Sequence, residues 1–248
     1  MESVARQDVP SIAKMSFIPP TGNKYMISVS TPSLAIPPLE NGDHLSQAEF
    51  ERRYEAMPPD THAQLIEGVV YMASPLRLRS HSEPHGNVII WLGNYKVATP
   101  GVVLGIEPTV RLDADNEPQP DAVLFIPGRQ ATISHDDFIE GSPELIVEIA
   151  ASSAAIDLHD KKSAYARNRV QEYLVWRTLE QTLDWFRWVE GDYQVHVPDG
   201  DGILRSQVFP GLWLDPVALV QGDLGRVLAV LQQGITSPAH QAWVQHHT

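Results

Sequence analysis

The chain has 248 residues, a formal net charge of −13 and no cysteine. The charge excludes wrapping of duplex DNA by bulk attraction, because phosphate neutralisation needs clustered Lys and Arg. The missing cysteine excludes disulfides and thiolate zinc sites, which leaves carboxylate, imidazole, carbonyl and water donors and favours hard ions such as Mg2+ or Mn2+.

Residues 1–43 carry six prolines and only scattered apolar residues, so 1–44 reads as a Pro-rich arm with a candidate edge strand at 25–30. Ser46, with Glu49 three residues on, predicts a helix start, and Pro58-Pro59 ends it. A hairpin follows, with strands 63–66 and 69–72 around Glu67-Gly68, where Gly68 supplies a positive φ. Val88, Trp91, Leu92 and Tyr95 recur at three- and four-residue steps and predict a helix over 84–97. Strands are expected at 102–106 and 109–112, before the polar turn 113–116.

Two apolar runs without alternation, 122–126 and 145–149, suit strands buried on both faces of a sheet. A helix over 157–168, a strand at 172–176, and a hairpin of 182–189 with 193–197 come next. Asp215 and Asp223 cap two short helices, the second presenting Leu224, Val227, Leu228 and Leu231 on one face. These elements predict one α/β domain over 45–235, with 236–248 as a tail. No apolar run reaches the length of a membrane span, and residues 1–10 mix charges without an apolar stretch. The expected setting is the cytoplasm, with no membrane partner.

Asp121 stands immediately before one apolar run, and Glu148 is the single charge inside the other. Charged groups are rarely buried unless paired or bound to metal, so two carboxylates on neighbouring buried strands point to a cation site. Lys161, on the helix that follows, is placed to reach back over the strand ends. The bland readings are a strand-start aspartate, a glutamate paired with an arginine, and a solvated lysine with Lys162 beside it. Together the three residues form a minimal kit for phosphodiester hydrolysis: carboxylates hold an ion that activates water, and a lysine stabilises the developing charge. A glycosidase pair would instead need an open cleft between Asp121 and Glu148 and no nearby lysine. His81 and His85, four residues apart, share a helix face, but without a third ligand they do not make a zinc site.

This set resembles the Uma-type endonuclease family of the PD-(D/E)XK, or restriction-endonuclease-like, nuclease superfamily. Pro120-Asp121 matches the "PD", and Glu148 stands at the second acidic position. The usual lysine position, two residues on, is Ala150; the family pattern moves the lysine to the next helix. Ser152-Ser153, Asp157, Lys161 and Tyr165-Ala166 follow that pattern, as do 170–176, the hairpin with 72–75, and 212–219. The likeness spans about residues 45 to 220.

The resemblance implies a mixed central sheet flanked by helices, with an added N-terminal hairpin and a C-terminal hairpin and helices. It implies catalytic Asp121, Glu148 and Lys161, with Asp121 and Glu148 as ligands of Mg2+ or Mn2+, a nucleic-acid substrate (DNA in the first instance) and a homodimer. Asp157 and Tyr165 are accessory candidates. His85 fits the histidine that leads the family's helix best, with His81 as the rival. Gln64 departs from the pattern, since relatives carry an acid there; Glu67 or Glu107 is the candidate substitute. The alternative function is a nuclease fold of weak or no activity that binds nucleic acid or protein.

Overall fold

The computed structural model describes residues 36–247, so the expected strand at 25–30 and most of the Pro-rich arm lie outside the described residues. Helix α1, Gln47–Tyr54, begins where Ser46 Oγ accepts the Glu49 N–H at 3.5 Å. Glu49 does not complete a capping box; its carboxylate pairs with Arg52 and Arg53 instead. Strands β1, Ala63–Ile66, and β2, Val69–Met72, form the expected hairpin. Phe50, Leu65 and Val70 join Leu39 in a small satellite core, so the chain is already packed at residue 39.

A π-wound turn, Leu78–Ser82, leads directly into helix α2, Glu83–Ala98. Then come β3, Val103–Ile106; β4, Val110–Arg111; β5, Ala122–Phe125; β6, Ala131–Ile133; β7, Ile139–Gly141; and β8, Leu145–Ala150. The next helical run has three parts: α3, Ala154–Ile156; a second π-wound turn, Asp157–Lys161; and α4, Lys162–Arg167. Strands β9, Glu172–Arg177, β10, Thr182–Val189, and β11, Asp192–Val195, follow. Short strands β12, Leu204–Arg205, and β13, Trp213–Leu214, pair with each other before α5, Pro216–Val220, α6, Leu224–Ile235, and α7, Pro238–His247. Asp215 and Asp223 cap α5 and α6 as expected. The segment read as a C-terminal tail therefore carries a helix, with His240 buried and its Nε2 2.9 Å from Thr99 Oγ1. Its apolar content is too thin for periodicity to show the helix.

The central sheet has six strands in the order β11-β10-β9-β8-β5-β3. β8 and β9 are parallel, joined through α3 and α4, while the other pairs are antiparallel. This mixed sheet flanked by helices is the fold class expected from the sequence. All residues of β5 and β8 are buried, because apolar layers cover both faces. Val88, Trp91, Leu92 and Tyr95 of α2 pack with Leu145, Val147 and Ile149 on one face. On the other, Tyr165 and Tyr173 pack with Ile146 and Ala150. Strand side chains alternate between faces, so Glu148 projects into the second layer, beneath the helical run. Strands β4, β7 and β6 form a separate three-stranded sheet that periodicity did not reveal, since β6 and β7 have three residues each. Among the described residues, no helix is long and apolar enough to cross a membrane.

Candidate active site

The site grows from one strand pairing. In the antiparallel β5–β8 ladder, Ala122 faces Val147 and Val123 faces Ile146. Continuing that register by one residue sets Asp121 opposite Glu148, so their side chains leave the same face of the sheet. Asp121 Oδ2 accepts the Ile149 N–H at 2.6 Å, which fixes the carboxylate against β8.

Glu148 is 3% exposed. Its Oε1 accepts from Lys161 Nζ at 2.9 Å and from the Tyr165 hydroxyl at 2.9 Å. The partner of the buried glutamate is thus the lysine and not an arginine. Lys161 is also 3.5 Å from Asp157 Oδ1, while Asp157 Oδ2 accepts the Ser153 hydroxyl at 2.6 Å. Lys162 turns away and lies over the Phe186 ring, 3.8 Å from its centroid, which separates the two lysines. Asp157 is buried inside a continuous helical run and does not serve as its N-cap. The π-winding, a form frequent at functional sites, brings Asp157 and Lys161 inward together.

Burial raises the Glu148 carboxyl to about 8, against the pull of Lys161 and with the negative charges of Asp157 and Asp121 adding to the rise. Asp121 differs. Burial pushes its carboxyl up, but the bond from His81, the His81 charge, the Ile149 N–H and Lys161 together hold it below the ordinary carboxylate value. Three carboxylates thus converge around one lysine, a local excess of negative charge suited to a cation.

Both histidines adjoin Asp121, by different atoms. His81, not His85, meets the Asp121 side chain, with Nε2 3.0 Å from Oδ1. His81 lies in the π-wound turn that precedes α2. His85 instead places Nε2 2.9 Å from the Asp121 carbonyl oxygen. The hydrogen bond to Asp121 raises the His81 pKa despite burial, aided by the charges of Asp121, Glu107 and Asp157. Of the two substitutes for an acid at position 64, Glu107 adjoins the site. Its N–H bonds the Asp121 carbonyl at 3.1 Å, and its carboxylate lies 3.7 Å from His85 Nδ1. Glu67 does not join, because the hairpin turn commits it to Arg167 at 2.7 Å. Gln64 Oε1 accepts the Gln119 N–H at 3.3 Å, two residues before Asp121. The glycosidase reading fails: Glu148 is buried and bonded to a lysine.

The family model described as Uma2, "Putative restriction endonuclease", matches residues 48–218. The chain belongs to the Uma2 family. The matched span holds every residue of the cluster just described, from His81 to Tyr165. Among solved structures, a "putative nuclease belonging to DUF820" from Anabaena variabilis ATCC 29413 is similar to this Uma2 chain. Its TM-score is 0.51 at 15% identity, covering 68% of this chain and 97% of that one, a likeness of fold. No curated protein matches.

Proposed function

We propose that this Uma2 chain is an endonuclease that hydrolyses nucleic-acid phosphodiester bonds, DNA in the first instance, with a divalent ion such as Mg2+ or Mn2+. The observation that carries the reading is the Lys161–Glu148 contact on the strand paired with the one that Asp121 leads. The donor set fits the ion. Asp121 and Glu148 are opposed carboxylates, and Asp157 Oδ1 is a buried oxygen with no hydrogen-bond partner. These oxygens match the hard-ligand preference of both ions. When bound, the ion polarises a phosphoryl oxygen and makes its water more acidic.

The residues do the rest. Lys161 holds a fixed ammonium beside the reacting phosphate, where negative charge develops, and needs no reorganisation because Glu148 and Asp157 already orient it. Tyr165 fixes Glu148 from the helix side, so the carboxylate keeps one orientation. His81 and the Ile149 N–H hold the two oxygens of Asp121 in place.

The test is incubation of purified protein with single- and double-stranded DNA and RNA and with Mg2+ or Mn2+, for wild type, Asp121→Asn and Lys161→Ala. Ion-dependent cutting by wild type, lost in both variants, is the expected result. The burial of Glu148 and Lys161 favours one second reading, a nuclease fold that binds nucleic acid or protein without cutting. Binding without cleavage, or cleavage that both variants retain, would leave that reading in place of ours.

A further inference from the structure

We propose that His81, His85 and Asp121, with Glu107 as a fourth donor, form a mixed nitrogen–oxygen site that takes a transition ion, Zn2+, Co2+ or Mn2+, in preference to Mg2+. The sequence offers the two histidines but no third ligand near them. The fold supplies it by bringing the start of β5 against the π-wound turn and the first turn of α2.

One ligand atom from each of the three residues lies within 4.8 Å of the other two. His81 Nε2 and Asp121 Oδ1 are 3.0 Å apart. Two donors bound to one ion at about 2.0–2.2 Å stand roughly 3–3.5 Å from each other, so this pair is already at ligand spacing. The two imidazoles meet edge to face, with ring centroids 5.8 Å apart. A side-chain rotation of His85 that closes the remaining gap by about 1 Å completes the set.

The surroundings are those of a metal site. The Ile149 N–H holds Asp121 Oδ2 and leaves Oδ1 facing His81, the outer-layer hydrogen bonding that orients a ligating carboxylate. The side chains of His81, His85 and Asp121 are 12%, 11% and 14% exposed, sheltered yet open to an entering ion. Glu107 has a φ of 50°, a left-handed conformation uncommon outside glycine, and its half-exposed carboxylate lies 3.7 Å from His85 Nδ1. Two imidazoles shift selectivity away from Mg2+, which prefers oxygen ligands, and toward Zn2+, Co2+ and Mn2+. The site shares Asp121 with the proposed nuclease centre, but it does not rest on phosphodiester hydrolysis.

The experiment is calorimetric titration of chelator-stripped full-length protein with Zn2+, Co2+, Mn2+ and Mg2+, for wild type, His81→Ala, His85→Ala and Glu55→Gln. Visible absorption of the Co2+ complex reports the ligand type, and apo melting curves check the fold of each variant. Wild type is expected to bind Zn2+ and Co2+ at least about tenfold more tightly than Mg2+. His81→Ala and His85→Ala should each weaken Zn2+ by about 10–100-fold and Mg2+ by less, and Glu55→Gln, an exposed carboxylate away from the cluster, should leave Zn2+ within about threefold. If a histidine variant fails to fold, the wild-type Co2+ spectrum decides, with nitrogen-ligand bands supporting the site and an all-oxygen spectrum overturning it. Equal affinity for Mg2+ and Zn2+, or histidine variants that bind Zn2+ like wild type, would also overturn it. None of these readouts requires cleavage, so a failed nuclease assay leaves the result interpretable.

Discussion

Removing Lys161 should destabilise the fold more than removing Glu148, and the two losses should not add. Lys161→Met leaves Glu148 and Asp157 buried with no facing ammonium. Breaking a buried pair from one side costs about 3–5 kcal/mol. Glu148→Gln is milder, because Lys161 keeps Asp157 at 3.5 Å and the Tyr165 hydroxyl can still donate to an amide oxygen. The loss there is that of a charged hydrogen bond, about 1.5–3 kcal/mol. In the double variant the unpaired Glu148 charge is gone, so its loss should fall short of the summed singles by about 1–3 kcal/mol. Urea unfolding at pH 9, above the raised Glu148 value, with chelator present so that no ion replaces the lysine, measures all four corners. Additivity within about 0.5 kcal/mol would refute the pairing argument, as would a Lys161→Met protein as stable as wild type.

Glu172 makes a pH prediction at the opposite end of β9. Burial lifts its carboxyl to about 7, although the Ser206 hydroxyl, the Gln207 N–H and Arg187 pull the other way. A folded value above the ordinary 4.5 means that the folded state binds the proton more tightly, so stability is present below pH 4.5 and is lost as pH rises toward 7. The fall is about 3 kcal/mol at full weight, and Glu172→Gln should remove that slope in melts from pH 4.5 to 8; an unchanged slope would assign it elsewhere. Gly234→Ala should cost about 1–3 kcal/mol or more. Its Cβ would overlap the Gly211 carbonyl and lie 2.8 Å from Trp213 Cγ. Gly200→Ala, into open space, should stay within about 0.5 kcal/mol, and equal melting temperatures for the two would contradict the packing argument.

What the sequence made legible follows from how local the cause is. The runs 122–126 and 145–149 announce buried strands by composition, and the lone Glu148 marks the buried cluster with Lys161 and Tyr165. Asp215 and Asp223 announce helix starts through a bond to an N–H three residues on. The π-wound turns at Leu78–Ser82 and Asp157–Lys161 leave no such trace, because a regular helical pattern and a widened one share the same residues. That is why neither the meeting of His81 with the Asp121 side chain nor the burial of Asp157 beside Lys161 shows in the sequence. Glu67 was misplaced for a different reason: its pairing with Arg167 joins residues 100 apart in the chain.

The most direct test of the central claim is nicking of a supercoiled plasmid by wild type and by Asp121→Asn, at equal concentration with Mg2+ or Mn2+, after circular dichroism has shown that both are folded. The account predicts ion-dependent nicking by wild type and a loss of about 100-fold or more in the variant. Equal nicking by both proteins, or none by wild type with either ion, would contradict it.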